Sequence, residues 1–423
     1  LRVFKGYKRL QGIESHRVKQ IAPPEWMRAP QTMRVMDALG PGNARFVGGC
    51  VRNMLLGLEV GDVDIATVWT PDEATKRLES AGIKVVPTGI DHGTVTAVID
   101  KVPFEITTLR KDIETDGRRA VVGFTKDWRE DALRRDFTMN TLLADMDGNI
   151  YDPTGEGVKD LEARRVRFVG DPATRIAEDY LRILRFFRFH AAYGKGAPDK
   201  DALSACKAAA SHISSLSRER ITQEVFKILS VENPVEILSV IFENRILPDF
   251  VFPEYEPDLM RHACTFQNRF GLAFIASRIF ILAGLSLKNV EAMEKILLIP
   301  KVFRRDIEAI SDVLRLPDLN RDHAVHVAIY KFGRVPAAQA LMIEMAQDRV
   351  MNGYAPKAIE IIQKWDIPDF PLTGNDLMKA GINEGPELGA ALHKIEEWWI
   401  ENEFRPNRQE ILSYLSKVYS WLL

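Results

Sequence analysis

The residue types and spacing that suggest chemistry begin with Asp62 and Asp64, which open the apolar β-type run Asp62-Val63-Asp64-Ile65-Ala66-Thr67. Positions i and i+2 of a strand share a face, so both carboxylates point the same way. Two like charges that close are costly unless a cation sits between them. Mg2+, which takes one or two carboxylates plus substrate phosphates, suits such a pair. Taken alone, an Asp-x-Asp is more simply a solvated strand end. Ten residues before Asp62, however, stands Arg52 of the turn Gly48-Gly49-Cys50-Val51-Arg52. Paired glycines let a phosphate approach the backbone, the helix that follows offers free N–H groups, and Arg52 reaches for the same anion. An ordinary tight strand–helix turn also uses paired glycines. The two motifs together favour a metal beside a phosphate turn.

Three further groups bear on that site. Glu105 lies in the apolar run 102–108, as a third carboxylate for the metal pair or as an edge-strand charge against aggregation; both readings stand. Arg134-Arg135-Asp136-Phe137-Thr138-Met139-Asn140 suits either a triphosphate grip or a capped, solvated helix start. Asp179, Arg182, Arg185 and Arg188 recur every three residues in an otherwise apolar stretch. On a helix they form one oblique polar stripe. A merely wet face usually mixes Lys, Glu and Gln. Arginine is the better residue for phosphate and base edges. These residues point to a nucleotide-polyphosphate enzyme using metal ions at an α-phosphate.

The elements that must hold these residues divide the chain. Residues 1–22 read as a poorly specified arm. Short β-branched runs at 44–47, 63–67, 84–86, 94–99 and 104–109 alternate with helical patterns at 71–81 and 131–144. A turn at 101–103 suggests a hairpin, and an α+β head with a mixed sheet of about five strands fits 23–150. Beyond residue 171 nearly every segment reads as helix, with helices expected near 172–191, 200–210, 217–230, 234–245, 269–285, 288–297, 302–314, 322–331, 335–348, 355–364, 386–403 and 407–422. No fixed repeat marks a solenoid.

With 57 Lys+Arg against 59 Asp+Glu in 423 residues, 27% charged and 46% hydrophobic, the chain is globular and of several domains. Residues 1–30 alone carry a local excess of +5, seven basic against two acidic. Local basic patches, not a uniformly basic body, would have to hold a nucleic acid. Cys50, Cys206 and Cys264 read as reduced thiols of a cytoplasmic protein. The apolar stretch 270–287, interrupted by Arg278, reads as a buried helix and not a membrane span.

The motifs resemble the class II tRNA nucleotidyltransferases, or CCA-adding enzymes, of the polymerase-beta-like superfamily. FVGGCVRNMLLGLEVGDVDIAT, TGIDHGTVTAV, FEITTLRKDIETDGRRAVVGFT, EDALRRDFTMN and RIAEDYLRILRFFRF match in order and spacing over 46–190. LSRERITQEVFKIL and GNDLMKAGINEGPELGAAL extend the likeness, and the wording is nearest the alpha-proteobacterial and mitochondrial branch. The resemblance implies template-independent addition of CCA to tRNA 3′ ends from CTP and ATP, with Mg2+ on Asp62 and Asp64 and with Glu105 beside them. It implies a head, then an all-α neck (151–235) for base recognition, body (236–350) and tRNA-binding tail (351–423), with tRNA contacted at its 3′ end and elbow. Carried over, Gly48, Gly49 and Arg52 bind the triphosphate, Arg135, Arg185 and Arg188 contact the nucleotide, and Asp179 and Arg182 read its base. Cytosine and adenine both present an amino donor next to a ring-nitrogen acceptor, which a carboxylate–guanidinium pair complements. Guanine and uracil reverse both partners, at about 1–3 kcal/mol per buried unpaired group.

The segment 111–126, charged at 111–119 and including Asp116, Arg118 and Arg119, is expected as a flexible loop needed for the terminal A. Asn53 stands where the family's acid is expected, which removes an acidic role there but not phosphate binding. None of the eight His is followed by Asp, so no added phosphohydrolase domain is expected, and His323 and His326 read as packing or surface residues. The rival readings are a poly(A) polymerase, disfavoured by the non-basic EILSYLSKVYSWLL, a partial CC- or A-adding enzyme, and an RNA-binding protein on a decayed fold, disfavoured by Asp62 and Asp64. No membrane partner is expected, and no protein partner is deducible.

Overall fold

The computed structural model describes residues 16–116, 119–269, 274–351 and 353–418. They divide into two units, one up to Asp249 together with Ile296–Leu298, the other from Phe250 to Lys295 and from Ile299 onward.

In chain order the first unit contains β1 (Arg17–Gln20), α1 (Glu25–Arg28), α2 (Pro30–Leu39), β2 (Ala44–Val47), α3 (Gly49–Leu56), β3 (Asp64–Thr67), α4 (Pro71–Ser80), β4 (Lys84–Gly89), β5 (Thr94–Ile99), β6 (Val102–Thr108), β7 (Arg110–Asp116) and β8 (Arg119–Phe124). There follow α5 (Trp128–Leu133), β9 (Leu143–Ala144), β10 (Asn149–Tyr151), α6 (Gly157–Glu162), α7 (Pro172–Glu178), α8 (Leu181–Tyr193), α9 (Lys200–Ala209), α10 (Arg218–Leu229) and α11 (Val235–Glu243). The main sheet runs β1-β10-β9-β2-β3-β6-β5-β4. Its β3–β6 pair is parallel and sets Asp64 beside Glu105.

This mixed sheet has eight strands, not five. The additions are too short for a period-2 pattern: β9 has two residues, β10 three, and β1 is the mostly exposed RVKQ of the expected arm. The β5–β6 hairpin turns at Asp100 and Lys101, both at positive φ, and not at 101–103. The helix expected over 131–144 stops at Leu133. Asp136 then accepts from its neighbour Phe137 N and from Asn140 Nδ2, and this local bonding competes with a continuing helix.

The helix expected over 172–191 is likewise two, broken at Asp179, which is extended at φ −156°, ψ 107°. Its carboxylate accepts from Leu181 N at 3.1 Å. Asp179 therefore stands at a junction, not on the stripe of α8. Phe137 packs at 4.8 Å from Phe189 and 5.0 Å from Phe168, and Phe168 at 5.7 Å from Phe186. This aromatic core fastens the apolar face of α8 to the segment after α5.

The second unit is helical: α12 (Pro257–Arg269), α13 (Ile275–Leu282), α14 (Leu287–Met293), α15 (Lys301–Val313), α16 (Asp322–Phe332), α17 (Arg334–Ala346), α18 (Ala355–Lys364), α19 (Gly374–Lys379), α20 (Pro386–Glu401) and α21 (Arg408–Val418). α12 and α19 were not expected. α13 is buried, and among the described residues no helix is long and apolar enough to cross a membrane. Trp399, Ile395, Leu377 and Ile411 centre one apolar cluster. His326 stacks on Trp365 at 4.3 Å and His323 lies 6.0 Å from Phe404, so both are packing residues.

Candidate active site

β2 is buried along its whole length and ends at Val47. Gly48, at φ +69°, turns the chain into α3. A side chain on Gly48 would occupy the space 3.6 Å from Arg135 Nη1 and 3.7 Å from Asp64 Oδ2. Glycine thus keeps open the gap between a helix start, an arginine and a carboxylate.

Asp64 begins β3, and Asp62 lies just before the strand and not within it. Glu105, opposite Asp64, sits in a strand flanked by β3 and β5, so it is not an edge-strand charge. Burial, then the neighbouring Glu105, push the Asp64 carboxyl up to about 6; Arg135 opposes them, and Asp62 adds to the rise. Electrostatically, the three acids form one group. Among the described residues no three such side chains are already gathered as metal ligands. A cation here fits one or two carboxylates in the space that Gly48 leaves, with substrate oxygens completing its shell.

Beside this group is a cavity of about 460 Å3 lined by Gly48, Gly49, Arg52, Arg135, Asp136, Asn140, Asp179, Leu181, Arg182, Arg185, Phe189 and Arg220. Arg52, 7% exposed, donates to Asn140 Oδ1 at 2.8 Å, Asn53 Oδ1 at 2.9 Å and Tyr193 Oη at 2.7 Å. Arg135 pairs with Asp131 at 3.0 Å. Arg185 donates through Nε to Asp136 at 2.9 Å. Burial opposes the Asp136 charge, but Arg185 and the donors at Asn140 and Phe137 outweigh it and hold the carboxyl below its ordinary range.

Arg182 donates to Arg175 O at 2.7 Å and also pairs with Glu178. Asp179 accepts from Arg220 Nη2 at 2.6 Å.

The cavity therefore brings together Gly48, Gly49, Arg52, Arg135, Asp179, Arg182 and Arg185 from the sequence reading. Arg188 is drawn instead to Glu224 at 2.5 Å and does not line it. Asp62, Asp64 and Glu105 stand beside it. Arg220 escaped the sequence reading: it comes from α10, 41 positions from Asp179, and no spacing connects them. Where residues 111–124 are described, they form strands. β7 and β8 pair antiparallel, with Asp116 opposite Arg119, because the second half of the segment is β-forming Ala-Val-Val. Arg118 lies outside the described residues.

Known proteins share this architecture. Residues 44–167 match the family described as Poly A polymerase head domain, residues 197–259 "Probable RNA and SrmB- binding site of polymerase A", and residues 276–415 tRNA nucleotidyltransferase domain 2. The mouse protein named CCA tRNA nucleotidyltransferase 1, mitochondrial, is 34% identical over 88% of this chain and 86% of its own. This chain belongs to the CCA tRNA nucleotidyltransferase family. The CCA-adding enzyme of Streptococcus suis is 31% identical over 94% of this chain and 98% of its own. Among solved family structures, the Bacillus stearothermophilus CCA-adding enzyme in complex with CTP superposes with a TM-score of 0.70 at 25% identity, covering 91% of this chain and 96% of that one. In this member of the family the Gly48–Gly49 turn, the acids and the arginine cavity all lie in the first unit.

Proposed function

We propose that this chain adds CCA to tRNA 3′ ends, one nucleotide at a time and without a nucleic-acid template, from CTP and ATP with release of pyrophosphate. The observation that carries this reading is the arginine-lined cavity opening at the Gly48–Gly49 turn beside Asp64 and Glu105. Asp62 and Asp64, with Glu105 adjacent, would hold Mg2+, which when bound supplies Lewis-acid activation of the tRNA 3′-hydroxyl and charge stabilisation at the α-phosphate. The Gly48–Gly49 backbone and the start of α3 receive the triphosphate. Arg52, Arg135 and Arg185 offset its charge, and the leaving pyrophosphate stays in the same grip.

Asp179 and Arg182 read the base edge. In the structure Arg220 and Glu178 occupy the positions that a base would contend for. A cytosine or adenine amino group replaces or joins Arg220 on Asp179, and the ring nitrogen accepts from Arg182. The segment 111–126, whose sequence includes Asp116, Arg118 and Arg119, adjusts the site from cytosine to the larger adenine, and the second unit grips tRNA toward its elbow. Three free, buried cysteines support a reducing, cytoplasmic setting.

The test is incubation with tRNA lacking CCA, giving CTP and ATP separately and together. CTP alone should extend the tRNA by CC, and both together by CCA. A poly(A) tract from ATP, or addition of one kind only, would replace this reading with a rival one.

A further inference from the structure

The five arginines of the cavity are not held alike. Arg135, Arg182, Arg185 and Arg220 are each paired with a carboxylate, on Asp131, Glu178, Asp136 and Asp179. Among the described residues Arg52 makes no such ion pair. Its partners are the amide oxygens of Asn53 and Asn140 and the hydroxyl of Tyr193.

The geometry of these partners is specific. Asn53 Oδ1 accepts a fork from Arg52, Nε at 3.2 Å and Nη2 at 2.9 Å. The other end of the amide donates to Glu59 O at 2.9 Å. An aspartate there would turn the fork into an ion pair and set a carboxylate oxygen against the Glu59 carbonyl. Tyr193, the last residue of α8, adds its ring 3.9 Å from the guanidinium carbon, and Phe189 lies at 5.3 Å. A π face and a hydroxyl hold a cation without cancelling its charge.

We propose that Asn53 and Tyr193 form a neutral clamp, which fixes Arg52 in place with its charge uncancelled and so sets the affinity for the nucleotide's triphosphate. The clamp rests on the nucleotidyl-transfer reading of the same cavity. Burial disfavours the Arg52 charge, and the attraction of Tyr193 and of Asp136, which makes no ion pair with it, offsets that only in part, so an anion in the cavity supplies further counter-charge. Asn53 and Tyr193 are positioning residues, since each acts through Arg52.

The test compares Asn53→Asp, Tyr193→Leu and Tyr193→Phe with the parent chain in CTP addition to tRNA lacking CCA and ATP addition to tRNA ending in CC. Inorganic triphosphate serves as competitor and, by calorimetry without tRNA, as direct ligand. Asn53→Asp, nearly isosteric, should raise KM for CTP and ATP together by about tenfold, the scale of one charge-assisted hydrogen bond. The inorganic triphosphate constant should weaken by a similar factor, while kcat and KM for tRNA hold. Tyr193→Leu should act in the same sense, and Tyr193→Phe, which keeps the ring, should recover part of the loss. Unchanged triphosphate binding in Asn53→Asp, or a fall in kcat with KM intact, overturns the clamp. If the parent transfers no CMP, the transfer reading fails instead, and triphosphate binding still decides the clamp: weaker binding in Asn53→Asp supports it and equal binding overturns it.

Discussion

Asp64 takes its environment from three directions: burial by the sheet, Glu105 on the parallel neighbour, and Asp62 just before the strand. A carboxylate so crowded is poised for a cation, so Asp62→Ala or Asp64→Ala should abolish incorporation of both CTP and ATP while tRNA binding survives. The rate should fall by at least about 10²–10³-fold, the scale of a lost charge-stabilising group. Near-normal turnover in either variant sinks the two-aspartate assignment. The base-reading assignment is separable. Asp179→Ala should relax selection against UTP and GTP more than it slows transfer, as measured by misincorporation on tRNA lacking CCA. If the variant loses rate with its preference for C and A intact, Asp179 serves Arg220 and the junction, not the base.

At the scale of elements, the break between α7 and α8 matters most. A continuous helix would have carried Asp179 on the stripe with Arg182. The junction instead turns its carboxylate to the N–H of Leu181 and to Arg220 of α10. The β7–β8 hairpin is the second such element. It follows the strand bearing Glu105 and precedes the helix after which Arg135 stands, and on the proposed reading a shift of the hairpin is passed to both. Replacing residues 112–119 by a short Gly-Ser bridge should leave tRNA ending in CC when both nucleotides are supplied. A product ending in CCA at the normal rate would reduce the hairpin to a connector.

For the whole molecule, the division into two units separates the site from a helical remainder with its own core. Asp376 closes a capping box with Thr373 at the start of α19 and receives Arg408 at 2.6 Å from α21. Those hydrogen bonds, the one from Arg408 foremost, hold the Asp376 carboxyl well below the usual carboxylate range. A depressed folded pKa stabilises above the unfolded value, about 3.9, and the benefit is lost as pH falls through the folded one. Asp376→Asn should therefore lower the thermal midpoint of the second unit at pH 7, and the gap from the parent chain should narrow below about pH 3. An equal gap at both pH values would show that the carboxylate's charge is not what stabilises α19 against α21.

Much of the site was legible in the amino-acid order because its parts are local. Gly48-Gly49-x-x-Arg52, Asp62-x-Asp64 and the Arg182–Arg185 spacing each lie within a few residues, where backbone geometry ties sequence spacing to direction in space. The helical second part was legible for the same reason, since most of its helices are long enough to show their period. β9 and β10, of two and three residues, carry no period, and β1 is the mostly exposed RVKQ, so these three emerged only when neighbouring strands supplied their hydrogen bonds. The Asp179 junction was hidden by an uninterrupted helical pattern, and local side-chain bonding decided it. Arg220 against Asp179 and Tyr193 beneath Arg52 join positions 41 and 141 residues apart. Only the packing of α8 and α10 against the sheet unit could bring them together, because burial of apolar faces, not sequence spacing, selects which distant side chains meet.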